Sequence, residues 1–462
     1  MGVLEAIAAL SRYIPSVEKP ARRPSLPARL AWTAIILVLY YIMSEVPLYG
    51  VMLKGVQSPT LTSILLGMNT GTLMTLGIGP IVTAGIVLQV LVGGGFLDLD
   101  LSKPRDRRLF MDAQRTLTLL FALLEASAYS VGCAFWMPAM GVPGTCPAGV
   151  GPRILVVVQL LIATLIIMWF DEMSQKGWGI GSALSLIIVA SVMKGMAWQL
   201  AGLTPIPTRE GGVQYYGWLT HVIMTGDPAI LRYSYPDLVG LITTVVTIVV
   251  LIYLQLMRVY IPVTSPRYGG VKSRIPLNFI YVTNIPILFV GITAADLRIL
   301  ANMLASFVGA NHPVTKATAA IAYYANPPHG LLQALSDPVH LLIFSVIWLA
   351  LSLVFGFIWV EVAGLNPQKQ AENILKSGLE VPGLRRNPRI LESLLARYIY
   401  PLTIISSLIV GAIAVIASIF GAYGTGSGLI LLVGILYSFY TQLSYERTLE
   451  MYPMLRRIIE GA

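Results

Sequence analysis

Apolar residues in this chain gather into long runs parted by short polar breaks, with no alternation between them. Runs of about 20 apolar residues, the length that crosses a hydrocarbon core of roughly 30 Å, lie near 30–47, 74–96, 115–138, 153–170, 180–203, 238–257, 279–307, 339–360, 398–420 and 428–444. Backbone N–H and C=O groups find no water in lipid, so each run must satisfy its own hydrogen bonds. Without period-2 alternation the runs predict helices, not barrel strands. The pattern predicts an all-α polytopic membrane protein with ten transmembrane helices. The second run is unusual: "GTLMTLGIGPIVTAGIVLQVLVGGG", from Gly71 to Gly95, carries seven glycines and a proline. Just before it, Leu61, Ile64, Leu65 and Met68 stand at i, i+3, i+4 and i+7, giving one apolar helical face on a stretch, 55–71, too short to span. That stretch reads either as an ordinary amphipathic connector or as a short half-helix with its own purpose.

Composition agrees with the runs: 56% of the 462 residues are hydrophobic and 11% are charged, against roughly 45–50% apolar in soluble domains. The net charge of +9 is unevenly placed. With the N-terminus inside, 24 of the 31 Lys and Arg fall in segments on the cytoplasmic side, where positive loops are retained. Both termini are therefore expected in the cytoplasm. Met1 to Tyr13 reads as an amphipathic helix lying at the membrane surface, and the polar, Pro-rich segment that follows it does not resemble a cleavage site. Cys133 and Cys146 fall near the outer end of the third run, where a disulfide and two free thiols are both open.

Several kinds of chemistry lack their sequence signature. No GxxxxGK[ST] phosphate loop occurs, so any work must be powered from outside. His221, His312, His329 and His340 lie in or beside outer loops without metal-ligand spacing, and no cofactor or metal is expected. "GWGIGSAL" (Gly177 to Leu184) opens a membrane run and does not follow a strand, so it reads as a close-packed turn, not a dinucleotide fingerprint.

Five runs precede the Pro- and Gly-rich outer segment 204–236 and five follow it. An odd number per half puts the halves in opposite orientation, the arrangement of inverted repeats. The predicted units are a cytoplasmic segment 1–29, an N-terminal half 30–203, an outer hinge 204–236, a C-terminal half 237–444 and a cytoplasmic tail 445–462. "LGIGPIVTAG" and "TNIPILFVGI" each place a proline near the start of the second helix of a half. Two cytoplasmic loops, 257–279 and 361–398, are long and basic. The first holds Arg258, Arg267, Lys272 and Arg274 with no acid, and the second centres on Arg385, Arg386 and Arg389. Gly and Pro bracket these arginines, which suits projecting tips for a polyanionic partner as well as it suits attraction to anionic lipid.

Four stretches then carry a resemblance. "LGIGPIVTAGIVLQVLVGG" (76–94), "DEMSQKGWGIGSALSLIIVAS" (171–191), "IPVTSPRYGGVKSRIPLNFIYVTNIPIL" (261–288) and "GAYGTGSGLILLVGILYSFY" (421–440) resemble the SecY family, the pore subunit of the protein-conducting channel. The "SPRYGG" tip and compact outer loops are similar to its archaeal and eukaryotic branch. The resemblance implies two inverted five-helix halves around a central hourglass pore. It implies a plug at 55–71 built on Leu61, Ile64, Leu65 and Met68. It implies an aliphatic pore ring of Ile78, Val82, Leu184, Ile188, Ile285, Leu288 and Leu431, which would resist wetting.

The resemblance further implies a lateral gate with polar positions at Thr83, Glu125 and Asp296, where many relatives carry amides at the last two. Intramembrane carboxylates are costly and usually functional. Two such acids in a closed seam would share a proton, or Arg298 would pair with one of them. Arg267 and Arg385 or Arg386 match ribosome contacts. The implied partners are the ribosome with its RNA, signal peptides and nascent chains, lipid, and two small single-span subunits resembling SecE (gamma-like) and the beta subunit. The alternative reading is a secondary transporter of a small solute, which predicts convergent polar groups in the middle of the membrane.

Overall fold

The computed structural model describes residues 2–21, 24–51, 64, 66–97, 99, 103–131, 135–136, 149–207, 213–233, 235–265, 271–282, 285–309, 311–328, 330–376 and 388–451. Cys133 and Cys146 lie outside these residues, as do Leu61, Leu65, Arg267, Arg385 and Arg386. The helices of the first half are α1 (Gly2–Leu10), α2 (Leu26–Glu45), α3 (Gly79–Gly93), α4 (Pro104–Val131), α5 (Val150–Gln175) and α6 (Ala183–Ala201). A small hairpin, β1 (Pro205–Pro207) with β2 (Val213–Tyr215), and α7 (Trp218–Thr225) occupy the connecting segment. The second half holds α8 (Leu238–Leu256), α9 (Ile285–Phe307), α10 (Pro313–Ala325), α11 (Leu331–Ser336), α12 (Pro338–Val362), α13 (Pro367–Lys376), α14 (Pro388–Ile419) and α15 (Gly426–Met451). Strands β3 (Arg258–Ser265) and β4 (Val271–Asn278) stand between α8 and α9.

Eight described helices, α2, α5, α6, α8, α9, α12, α14 and α15, are long and apolar enough to cross a membrane. The other two expected spans depart for local reasons. In α4 the first three turns carry the basic sequence Pro104 to Arg115. The helix α3 covers only Gly79–Gly93, not 74–96, because residues 71–78 form a series of turns, with Gly71 at φ +88° and Gly77 at φ +55°. A side chain at Gly77 would run into the Leu66 carbonyl oxygen, so glycine is required there both by conformation and by space. Pro80 and Pro286 each take the second position of their helices, where a missing N–H breaks no helical bond.

The spans are helical as expected, and the described strands are confined to two loop hairpins. The loop 257–279 is largely an antiparallel ribbon, paired from Arg258↔Asn278 to Ser265↔Val271. Eight residues per strand at about 3.4 Å each extend it roughly 27 Å. Two other spans are also displaced. Phe279 to Val282 turn before α9 begins, and α14 starts at Pro388, ten residues ahead of its apolar run.

The largest core joins both halves through Tyr40, Ile187 and Val192 on one side and Phe344, Leu429 and Ile430 on the other. A second core lies at the end of the bundle that carries the basic loops, here the basic end. It packs Ala371 and Ile374 of α13 against Leu391 and Leu395 of α14, with Val259 and Leu277 of the ribbon at its edge. The two basic projections therefore stand on one shared base. Near them α1 turns Leu4 and Ala8 onto Leu88, Phe110 and Ala113, so its apolar face is covered by protein. The chain after it is strapped across α4 and α5: Arg115 and Trp169 both donate to the Pro15 carbonyl, at 3.0 and 2.9 Å. Val17 N–H donates to Glu172 at 3.2 Å.

Candidate functional site

A cavity of about 700 Å³ opens toward the basic end. Its walls come from α3, α6 and α9 together with α15. Six of the seven predicted ring residues line it: Val82, Leu184, Ile188, Ile285, Leu288 and Leu431. Each arrives there by helical spacing. Leu184 and Ile188 are one turn apart on α6, and Ile285 and Leu288 are three residues apart on the first turn of α9. The seventh, Ile78, is fully buried directly before α3. Its N–H donates to the Leu66 carbonyl at 2.8 Å, tying the waist to the segment before it. The lining changes along its depth. Gln114, Gln175, Gln255, Asn278 and Ser438 lie at the basic end, above the aliphatic side chains. A polar mouth thus gives way to an apolar stretch, where branched side chains disfavour water and ions.

Of the predicted plug face, Ile64 and Met68 are described, 2% and 8% exposed. Ile64 is wedged between two glycines from opposite halves. A Cβ at Gly195 of α6 would stand 3.0 Å from Ile64 Cγ1, and one at Gly428 of α15 would stand 3.5 Å from its Cγ2. Leu66, outside the predicted face, is completely buried. The helical period misses it because the chain has left the helix by residue 66.

Two of the three predicted seam residues meet across the halves. Thr83 Oγ1 donates to Asp296 Oδ2 at 3.0 Å, joining α3 to α9. The carboxylate of Glu125 lies beside the start of α3, with Oε2 3.7 Å from the position of a Cβ on Gly79. Arg298 is exposed, so a hydroxyl, not the guanidinium, is the recorded partner of Asp296.

The basic residues divide into root and tip. Arg258 Nη2 donates to Tyr437 Oη of α15 at 2.8 Å, so it anchors the ribbon and is not part of an exposed tip. Arg274 is exposed. The register puts positions 258, 272 and 274 on one face of the ribbon. Arg389 is exposed on the first turn of α14.

At the opposite end the predicted hinge segment forms a bonded knot. Buried Arg232 donates to the carbonyls of Tyr215, Tyr216 and Pro236 at 2.9, 3.4 and 3.3 Å. Tyr423 donates to the Asp237 carbonyl at 2.8 Å. Gly424 N–H reaches Gln199 Oε1 at 2.7 Å, linking the halves. The buried His221 is held below the usual imidazole range, first by loss of hydration and then by Arg232 nearby.

Comparison with known proteins follows the same geometry. The family model described as SecY matches residues 72–440. A protein translocase subunit SecY of Aeropyrum pernix is 48% identical over 462 residues, covering 99% of each chain. Among solved structures, one described as the structure of a protein conducting channel matches with a TM-score of 0.78 and 32% identity, over 96% of this chain and 98% of its own. A second, concerning the plug domain of the SecY protein and the closed state of the translocation channel, matches with a TM-score of 0.77 at 32% identity and the same coverage. A third, Sec61 in the canine ribosome-channel complex from the endoplasmic reticulum, gives 0.75 at 32% identity, again over 96% and 98%.

Proposed function

The chain belongs to the SecY family, and from that premise we propose that its cavity is the path of an unfolded polypeptide through a multi-pass membrane channel. Secretory chains pass across the membrane, and sufficiently hydrophobic segments leave sideways between α3 and α9. The observation that carries the reading is a cavity whose polar mouth gives way to six aliphatic ring residues, with Ile64 held between the two halves. A secondary transporter would place its polar groups at the waist, and the six ring residues found there are aliphatic.

In this reading the basic end faces the cytoplasm of a cell membrane and both termini lie there. Residues 30–203 and 237–444 are the halves of a clamshell, and the knot at 204–236 is its hinge. Residues 55–71 are the plug, and Thr83, Glu125 and Asp296 hold the lateral gate closed. The chain is a channel without catalytic residues, driven by a docked motor. A ribosome fits the basic projections through Arg267, Lys272, Arg274, Arg385, Arg386 and Arg389. Two small membrane subunits, SecE-like and beta-like, complete the assembly.

The test is a ribosome-stalled nascent chain offered to channels carrying a single cysteine at Val82 or Ile188. Crosslinking at both positions is expected. A chain that crosses without reaching either one does not travel through this cavity.

A further inference from the structure

Two buried polar atoms in the cavity wall have no partner among the described residues: Gln89 Oε1, an acceptor, and Trp359 Nε1, a donor. They belong to opposite halves, Gln89 to α3 and Trp359 to α12, and both line the same cavity. A close helix contact sets their relation. Gly93, one turn beyond Gln89, fits between Ile358 and Val362, which stand one turn apart on α12, Ile358 directly before Trp359. A Cβ at Gly93 would stand 3.2 Å from Ile358 Cγ2 and 2.9 Å from Val362 Cγ2. The indole is also held from its other side. Its ring meets Phe289 edge-on at 6.4 Å and 83°, and Phe289 in turn packs on Phe355 at 5.6 Å.

Shielded polar atoms are nearly always paired, and leaving them unpaired is costly. A donor and an acceptor on two residues that line one cavity, shielded in the resting channel, match in kind the two groups of a peptide unit, one C=O and one N–H, once the side chains turn toward a chain that enters. Every residue except proline offers both groups, whatever its side chain. The described lining of this cavity contains no Asp, Glu, Lys or Arg, so its surface does not sort chains by charge. Gln114 and Gln175 extend the same neutral amide chemistry along the wall.

Resting on the channel reading above, we propose that Gln89 and Trp359 bind the main chain of the passing polypeptide, the glutamine accepting from its N–H and the indole donating to its C=O. The pair gives an extended chain a sequence-independent foothold at the vestibule, beside the seam and before the waist. It also spans the seam, so a chain held there bridges the two halves.

The experiment uses the full channel complex in vesicles and a stalled chain whose segment at the cavity is either alanine or N-methylalanine. N-methylation removes the N–H and adds no charge. Back-sliding of the chain after release from the stall is measured. In the unsubstituted channel N-methylation should speed back-sliding about two- to tenfold, the worth of one neutral hydrogen bond. In Gln89→Leu the two chains should slide at equal rates. In Trp359→Phe, which keeps a ring against Phe289 and lacks the N–H, both chains should slide faster by a similar factor while the N-methyl effect remains. An N-methyl effect that persists undiminished in Gln89→Leu overturns the acceptor half, and an unchanged rate in Trp359→Phe overturns the donor half. Either result would mean that the atom concerned stays shielded while the chain passes. Failure of the alanine chain to reach a cysteine at Ile188 in any channel overturns the channel reading instead.

Discussion

Replacing Ile64 by alanine should open the resting channel to ions. The side chain is 2% exposed and fills a pocket made jointly by Gly195 of α6 and Gly428 of α15. Ile64→Ala removes three carbons. At about 0.8 kcal/mol each they account for about 2.4 kcal/mol of transfer free energy, and an unrelaxed cavity brings the total to about 2–4 kcal/mol. The pocket lies between the two halves, and Ile64 fills it only while the segment is seated. The loss therefore falls on the closed state, and the open population should rise roughly 30- to 700-fold. The measurement is single-channel conductance of the reconstituted protein, with the thermal midpoint recorded to show that it is folded. Gly195→Ala should act in the same direction, because its Cβ would stand only 3.0 Å from Ile64 Cγ1. A leak within about twofold of the unsubstituted protein, from a folded Ile64→Ala channel, would refute the reasoning, since burial of this magnitude would then not be what keeps the segment seated.

Thr83→Val removes the hydroxyl that donates to Asp296 across the seam. A loss of about 1 kcal/mol equals roughly two or three leucines at 0.3–0.6 kcal/mol each, so signal cores shorter by that number should insert, and an unchanged threshold in a graded series counts against this bond as a gate. Arg267→Glu combined with Arg386→Glu should weaken ribosome binding, most visibly at physiological salt, while leaving the thermal midpoint unchanged; binding that survives in a co-sedimentation assay removes these arginines from the docking surface. His221 has a lowered affinity for protons in the folded knot, so the unfolded chain binds the proton first as the solution acidifies. Its contribution to stability is complete above the usual value of 6.5 and is lost as pH falls from there through the lowered folded value. Thermal midpoints taken across that window should drop less in His221→Gln than in the unsubstituted protein, and parallel curves would contradict this assignment.

The ten spans are legible in sequence because lipid leaves the backbone few options, and a run of apolar residues near the required length has to be helical. Hydropathy is blind to the turns at 71–78, since Leu73, Met74 and Leu76 are as apolar there as in a helix; only Gly71 and Gly77 mark the break. The ribbon at 258–278 is masked in the sequence by its four basic residues, which read equally well as a charged loop. Its signal was present in "VYIPVTSPRYGGV", a β-rich stretch ending in a Pro- and Gly-containing turn. Waist residues such as Val82 and Leu431 are chemically identical to ordinary packing residues, so periodicity alone does not single them out, and resemblance was needed to name them. Gln89 and Trp359 carried no signal at all. What distinguishes them is an absent partner and a shared cavity, and both are properties of the folded arrangement.

One helix connects the regions that would bind different partners. Leu431 of α15 lines the waist, and Tyr437, six residues on and also at the cavity wall, holds Arg258 at the root of the ribbon. At 1.5 Å per residue about 9 Å of helix separates the two points. Further along, Glu446 pairs with buried Arg29 at 3.0 Å, and Arg29 Nε donates to the Gly179 carbonyl at 3.0 Å in the turn before α6. Removing one partner of such a buried pair costs about 3–5 kcal/mol, against about 1 kcal/mol for the neutral-donor hydrogen bond from Thr83 to Asp296 at the seam, so among the polar ties between the halves this end of α15 is the harder to release. Separation of the halves should therefore begin at α3 and α9 while α2, α6 and α15 stay together. A partner seated on the ribbon would then act on the helix that remains in place, not on the one that moves.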